Sequence, residues 1–190
     1  MIIKKFNYMK HKMIFLLAVL LSGFRLQGQE TYKHSDLRFG IGTSLLGSGD
    51  YMMFQYENEY NYRLNKYFTS ALSVNFGKSI GGPLEGSVHF WQGNLNLLFS
   101  PFKNTKALDI RLGTGLNIYD LSTTYVFAAL NGSPEKHYDF SREIDFGANF
   151  ILEGIYRFSN KYAVGLKLFT QPAFHGNINS GLMLTLGLNL

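Results

Sequence analysis

The sequence predicts an all-β protein: an eight-stranded, antiparallel, up-and-down transmembrane β-barrel that follows a cleaved signal peptide. Three observations carry that reading. Apolar and polar residues alternate with a period of two in eight separate segments. The connections between those segments alternate between short and long. Charged residues make up only 16% of the chain, below the roughly 25% usual for soluble domains. A length of 190 residues suits one domain, and a hydrophobic content of 46% excludes a disordered polar chain. The absence of cysteine excludes disulfide frameworks, iron–sulfur clusters and thiolate zinc sites.

The amino terminus reads as an export signal. Met1 to Lys12 is basic, Met13 to Leu21 is an unbroken apolar run, and Ser22, Gly23 and Gly28 offer small residues for cleavage. The run is too short to be an anchor, because a helix needs roughly 20 apolar residues to cross a bilayer. Cleavage after Gly28 is expected, with residues 1–28 as signal peptide and 29–190 as the barrel domain. The signal also accounts for the charge. The chain carries a formal +5, and Lys4, Lys5, Lys10, Lys12 and Arg25 lie in a segment without an acid. The remaining chain is formally neutral, which removes any argument for a nucleic-acid partner.

The strands follow in order. Leu37 to Leu45 is a weak first alternation. In the second, Phe54, Tyr56, Tyr60, Tyr62 and Leu64 oppose Gln55, Glu57, Glu59, Asn61 and Arg63. Phe68 to Phe76 and Trp91 to Phe99 give the third and fourth. In Leu108 to Ile118 the apolar face is Leu108, Ile110, Leu112, Leu116 and Ile118, against Asp109, Arg111 and Asn117. Ile144 to Phe158 repeats the pattern, with Ile151 and Ile155 as apolar exceptions on the polar face. Val164 to Leu168 and Leu182 to Leu190 complete the set. Each is close to the nine to eleven or so residues that a tilted strand needs to span a membrane.

Short connections at Asn65-Lys66, Pro101 to Lys106 and Ser159 to Lys161 contain the Asn, Ser and Pro favoured in turns. Longer ones fall at Gly47 to Asp50, Ser79 to Gly86, Leu121 to Tyr138 and Gln171 to Asn179. This asymmetry is that of outer-membrane barrels, whose short turns face the periplasm. The longest loop contains Tyr125, Val126, Phe127 and Leu130, an apolar run with three readings, a cap on the barrel mouth, an extension of a strand, or a surface contact for a protein partner, of which the contact is the leading one. Arg63-Leu64-Asn65-Lys66-Tyr67 echoes Arg157-Phe158-Ser159-Asn160-Lys161-Tyr162, which is read as shared turn chemistry.

Alternation alone also fits a soluble barrel with an apolar inside. The assigned apolar faces carry no charge, as contact with lipid demands, since Arg or Lys at the midplane costs about 2–4 kcal/mol. Tyr60, Tyr62, Tyr67, Phe68, Phe99, Phe102, Tyr156 and Tyr162 gather at the short-turn end. Tyr51, Phe54, Phe90, Trp91, Tyr119 and Phe140 gather at the long-loop end, so two aromatic girdles are expected. The polar faces would then line the lumen, with a charge network of Arg38, Glu57, Glu59, Arg63, Asp109, Arg111, Glu143, Asp145, Glu153, Arg157 and Lys167. Acids and bases nearly balance, which favours pairing into a plug. A selective pore is the competing reading, and eight strands leave an interior just wide enough for side chains.

No histidine spacing makes a metal site, and no phosphate loop is present, so neither metal nor cofactor is expected. His175 invites comparison with outer-membrane lipid A deacylases, but position 177 is Asn where that family has its serine. Catalytic residues are therefore not assigned. The segments Tyr62 to Tyr67, Ile155 to Tyr162 and Gly181 to Leu190, with the signal ending Gln27-Gly28-Gln29, resemble the small outer-membrane β-barrel proteins of the Bacteroidetes type. Those are similar in architecture to the OmpA transmembrane domain and OmpX. The resemblance implies a non-enzymatic protein of the bacterial outer membrane, exported through the periplasm. Its partners would be outer-membrane lipid and, during biogenesis, the barrel-assembly machinery. Envelope integrity or surface interaction is the expected role; a narrow porin, a carrier of small hydrophobic molecules and a deacylase are the other readings.

Overall fold

The computed structural model describes residues 35–47, 51–80, 87–103, 107–127 and 137–190. The expected signal peptide and Leu130 lie outside them. Eight strands form the described chain: β1 (Ser35–Leu46), β2 (Tyr51–Arg63), β3 (Phe68–Ser79), β4 (Ser87–Phe99), β5 (Leu108–Phe127), β6 (His137–Arg157), β7 (Tyr162–Pro172) and β8 (Ile178–Asn189). Each pairs antiparallel with its sequence neighbours, and β1 pairs with β8, which closes the barrel. Closure removes every sheet edge within the paired region, so the backbone is satisfied without water.

Local chemistry sets the short turns. Asn65 Oδ1 accepts hydrogen bonds from the amides of Tyr67 and Phe68, at 2.8 and 2.9 Å. Ser159 Oγ accepts from the amides of Lys161 and Tyr162, at 3.2 and 3.0 Å. Both are side-chain mimics of a backbone turn.

The longest loop is shorter than the sequence suggests. Tyr125, Val126 and Phe127 belong to β5, and their backbones pair with Asp139, Tyr138 and His137 of β6. The physical reason is local: β-branched and aromatic residues run from Thr123 to Phe127, and a hairpin partner satisfies their backbone without help from the barrel. The apolar run expected as loop is therefore, up to Phe127, strand.

Outside the barrel the apolar face is exposed. Leu116 is 65% accessible, Leu186 64% and Leu72 58%, values no soluble core residue shows. Inside, the polar face is closed from water. Three girdle assignments are corrected here, one of them Tyr51, which packs against the inner apolar layer. Phe90 and Tyr119 point inward and pack together, ring centroids 4.8 Å apart. With Leu46, Met53, Val88 and Leu121 they form an apolar layer inside the long-loop end. Trp91 stays outside against Phe76, at 5.0 Å. At the other end Phe68 packs on Phe99 at 5.3 Å. Ile151 and Ile155, the exceptions on the polar face of β6, are buried in the lumen, Ile151 beside Leu98, Phe169 and Met183.

Two glycines are required by close approach. A Cβ on Gly42 would stand 2.1 Å from the Leu182 carbonyl oxygen, and one on Gly115 would stand 2.2 Å from that of Leu95. Gly154 has nothing within 4 Å of its Cβ position. Gly115→Ala is expected to destabilise the barrel by about 1–3 kcal/mol through overpacking, whereas Gly154→Ala stays within about 0.5 kcal/mol of wild type. Urea titration of the refolded protein, read by heat-modifiable gel migration, measures both.

Candidate functional site

The inward side chains of β1, β2, β5, β6 and β7 bring charge together in the lower lumen, toward the short turns. Arg38, Glu57, Glu59, Arg63, Asp109, Arg111, Glu153, Arg157 and Lys167 all enter one cluster. Asp36 joins them, one residue before the first strand expected from sequence. It lies two residues before Arg38 and so shares its face; the alternation extended one step would have found it. Five acids then face five bases. Glu143 and Asp145 stand apart. Glu143 is exposed at the long-loop mouth, and Asp145 turns to His175, whose Nδ1 lies 2.7 Å from Asp145 Oδ1. Both keep the inner face, opposite Leu121 and Tyr119 in the β5 ladder, and sit where β6 has run beyond its ladder with β7, apart from the ion cluster.

The cluster contains a repetition. On β1 and β2, Arg38 Nε donates to Asp36 at 2.7 Å, Arg38 Nη1 lies 3.8 Å from Glu59, and Arg63 Nη2 lies 3.6 Å from Asp36. On β5 and β6, Arg111 Nε donates to Asp109 at 2.7 Å, Arg111 Nη1 lies 3.9 Å from Glu153, and Arg157 Nη2 lies 3.3 Å from Asp109. The register agrees: Arg38 pairs with Glu59 and Arg111 with Glu153. These strand pairs are half a barrel apart. The turn echo seen in the sequence thus belongs to a longer correspondence, Asp-x-Arg-x-Gly-x-Gly on β1 and β5 and Glu-x-x-Tyr-Arg on β2 and β6.

Arg38 Nη1 joins the two halves by donating to Glu153 Oε1 at 2.6 Å. The correspondence breaks at Lys167, whose Nζ donates to Glu57 and, at 2.5 Å, to Glu59. Ser73 stands opposite Glu59 where Lys167 stands opposite Glu153.

A wall of amides completes the lumen. Asn149 Nδ2 donates to Asn96 at 2.7 Å and to Asn94 at 3.2 Å, Asn94 donates to Ser73 at 3.0 Å, and Asn117 donates to Asn149 at 2.6 Å. Gln55 donates to Asn179 at 3.0 Å. These positions are missed by any search for charge; all but Asn179 lie on a polar face of the alternation, and Asn179 falls in the segment expected as the last long loop, which β8 shortens by starting at Ile178.

The arrangement closes the lumen. A continuous water path would expose the groups lining it, and Arg111, Glu153, Asp109 and Gln55 are 0% accessible. Above the apolar layer, a cavity of about 270 Å³ opens at the long-loop mouth beside Leu46, Val88, Leu121, Thr123 and Glu143. On the outer face near Trp91, Arg142 Nη2 donates to Asp120 at 2.6 Å, and this bond holds the Asp120 carboxyl below its ordinary range. Ser180 shares a hydrogen bond with Thr170 at 2.7 Å, and among the described residues His175 is hydrogen-bonded to Asp145 and not to a serine. Among the described residues no group of histidines and acids could hold a metal ion.

No protein-family model matches the chain, and no curated protein matches its sequence. Solved structures do resemble it. Neisserial surface protein A superposes with a TM-score of 0.66 at 13% identity, covering 83% of this chain and 97% of that one. Ail of Yersinia pestis gives 0.57 at 9%, covering 81% and 96%. The outer membrane protein OprG of Pseudomonas aeruginosa gives 0.55 at 12%, covering 82% and 95%. The fold is that of the eight-stranded outer-membrane barrels. In an outer-membrane barrel of this size the wall is held by what fills it, and here that is the charge cluster.

Lys167→Met strands Glu57 and Glu59 in the lumen and is expected to destabilise the barrel by about 3–5 kcal/mol, the usual cost of removing one partner of a buried ion pair. Adding Glu57→Leu to Lys167→Met should restore part of that loss. Denaturant titrations of the single and double variants measure the difference.

Proposed function

We propose that this chain is a non-enzymatic, non-conducting barrel of the outer membrane that stiffens the envelope and offers a strand edge to a partner outside the cell. Export by residues 1–28, passage through the barrel-assembly machinery and integration among outer-membrane lipids are part of the same reading. The lipid-compatible exterior and the fold likeness support it.

The single observation that carries the contact reading is the mismatch between β6 and β7. β6 runs from His137, but its ladder with β7 covers only Phe150 to Arg157, apart from a bridge between Gly147 and Ala173. From His137 to Phe146 the described strand is paired on its β5 side alone, save for one bond from the Phe174 amide to the Phe146 carbonyl. Among the described residues, that is roughly 30 Å of strand without a ladder partner along one edge. Asp139, Phe140, Arg142, Glu143 and Ile144 along it are exposed. Such an edge accepts an added strand through main-chain hydrogen bonds, while Phe140 and Ile144 supply apolar contacts on alternate positions.

The closed lumen favours this reading over a narrow porin. In planar bilayers the refolded protein is expected to give no resolved conductance steps; stepwise conductance would overturn the non-conducting assignment. Replacing residues 120–144 by an Asn-Gly turn removes that edge together with Phe140 and Ile144, and should leave heat-modifiable folding intact, because the excised hairpin lies beyond the β6–β7 ladder. Cell-surface cross-linking with this variant should lose the partners captured by the wild type, and capture of the same partners would sink the edge as a contact surface.

A further inference from the structure

We propose that the short-turn mouth of the barrel is a binding site for an oxyanion, a phosphate or a carboxylate, held between Arg63 and Arg157. Among the described residues, these two arginines are the most accessible charges of the cluster, at 9% and 12% of their side chains. Their positions are equivalent in the two corresponding halves, at the ends of β2 and β6, so they face one another from opposite walls, and the charge of Arg157 acts on Arg63.

The acids within reach lie one layer deeper and are already engaged. Asp36 accepts from Arg38 Nε at 2.7 Å, and Asp109 accepts from Arg111 Nε at 2.7 Å. Arg63 is left with the outer side of Asp36 at 3.6 Å, within ion-pair range but outside hydrogen-bond range. Its Nε and Nη2 donors have no acceptor, although the side chain is only 9% accessible. Arg157 reaches Asp109 at 3.3 Å, and its side chain is 12% accessible. Opposite Arg63 in the ladder stands Thr69, fully buried, with its hydroxyl unpartnered.

A buried guanidinium edge with two free donors is shaped for a planar or tetrahedral oxyanion, which accepts in a bidentate manner. Arg157 supplies the second charge and Thr69 Oγ1 a neutral donor. Arg111 also has donors without an acceptor, but it lies deeper, its side chain 0% accessible against 9% for Arg63. Orphaned donors of a buried charge cost more than ordinary unmade hydrogen bonds, so an anion at the mouth removes a penalty that the deeper acids cannot. Deeper in the cluster five acids face only Arg38, Arg111 and Lys167, so an added anion is repelled there and meets net positive charge only at Arg63 and Arg157.

The test uses the refolded full chain in nanodiscs of zwitterionic lipid, titrated with inorganic phosphate. The Nε–H resonances of Arg63 and Arg157 are followed by NMR, with exposed Arg142 as internal control and sodium chloride at equal ionic strength as reference. A saturable shift at Arg63 and Arg157 but not at Arg142 is expected, with acetate producing the same pattern. Arg63→Gln and Arg157→Gln should each weaken phosphate binding by roughly tenfold or more, the loss of a charge-assisted contact, and Arg63→Lys should retain part of it. Should either glutamine variant fail to fold, Thr69→Val, with normal folding and several-fold weaker binding, carries the same comparison. Shifts no larger than those in chloride, equal shifts at Arg142, or variants binding as tightly as wild type would overturn the site.

Discussion

Desolvation governs this molecule. Ten charged side chains meet in a lumen that water hardly enters, and an isolated ion in such surroundings costs several kcal/mol even after relaxation. Five acids and five bases resolve the problem only if each acid meets a base across strands that are distant in sequence. The cluster therefore demands one register: a one-residue slip of any participating strand would turn its charges to the lipid and its leucines to the lumen. Barrel closure supplies the walls, and the charge cluster fixes how they are set against each other.

The same constraint explains the inversion of the usual pattern of burial. Leu116, Leu184 and Leu186 stand more than half exposed while Arg111 and Glu153 are fully closed off. With lipid as the outer solvent, apolar side chains gain nothing by turning inward, and the backbone is satisfied by the closed ladder alone. The interior is filled by polar residues that hydrogen-bond one another, capped at the long-loop end by Leu46, Phe90, Tyr119 and their neighbours. This cap separates the mouth cavity from the ions below it.

The two corresponding halves give the cluster its form. Asp36, Arg38, Glu59 and Arg63 reproduce the contacts of Asp109, Arg111, Glu153 and Arg157 within a few tenths of an ångström. The halves share few other residues, so the correspondence marks what the lumen cannot vary: an arginine clamped by an aspartate on its own strand and approached by a glutamate on the next. Lys167 and Glu57 depart from it and make one wall different from the other. Gly42 and Gly115 occupy equivalent positions as well, each so close to a neighbouring backbone that no side chain fits.

Much of this was legible in the residues alone. Period-two alternation fixed strand identity and the face of nearly every side chain, because a strand has only two faces and lipid tolerates charge on neither its apolar nor its buried side unpaired. Alternating loop lengths then set the number and direction of the strands. Alternation could not place Phe90 and Tyr119, because an aromatic ring suits a girdle and an inner cap equally well. It could not show where β5 and β6 end, since a hairpin continues as long as its two strands satisfy each other. It gave Glu143 and Asp145 to the inner face, where they stand opposite Leu121 and Tyr119, but could not show that both lie apart from the ion cluster. The pairing of the charges and the position of Arg63 and Arg157 as the most accessible members of the cluster were decided by tertiary structure alone. They depend on cross-barrel register, and register is set by contacts between residues that the sequence keeps as much as a hundred positions apart.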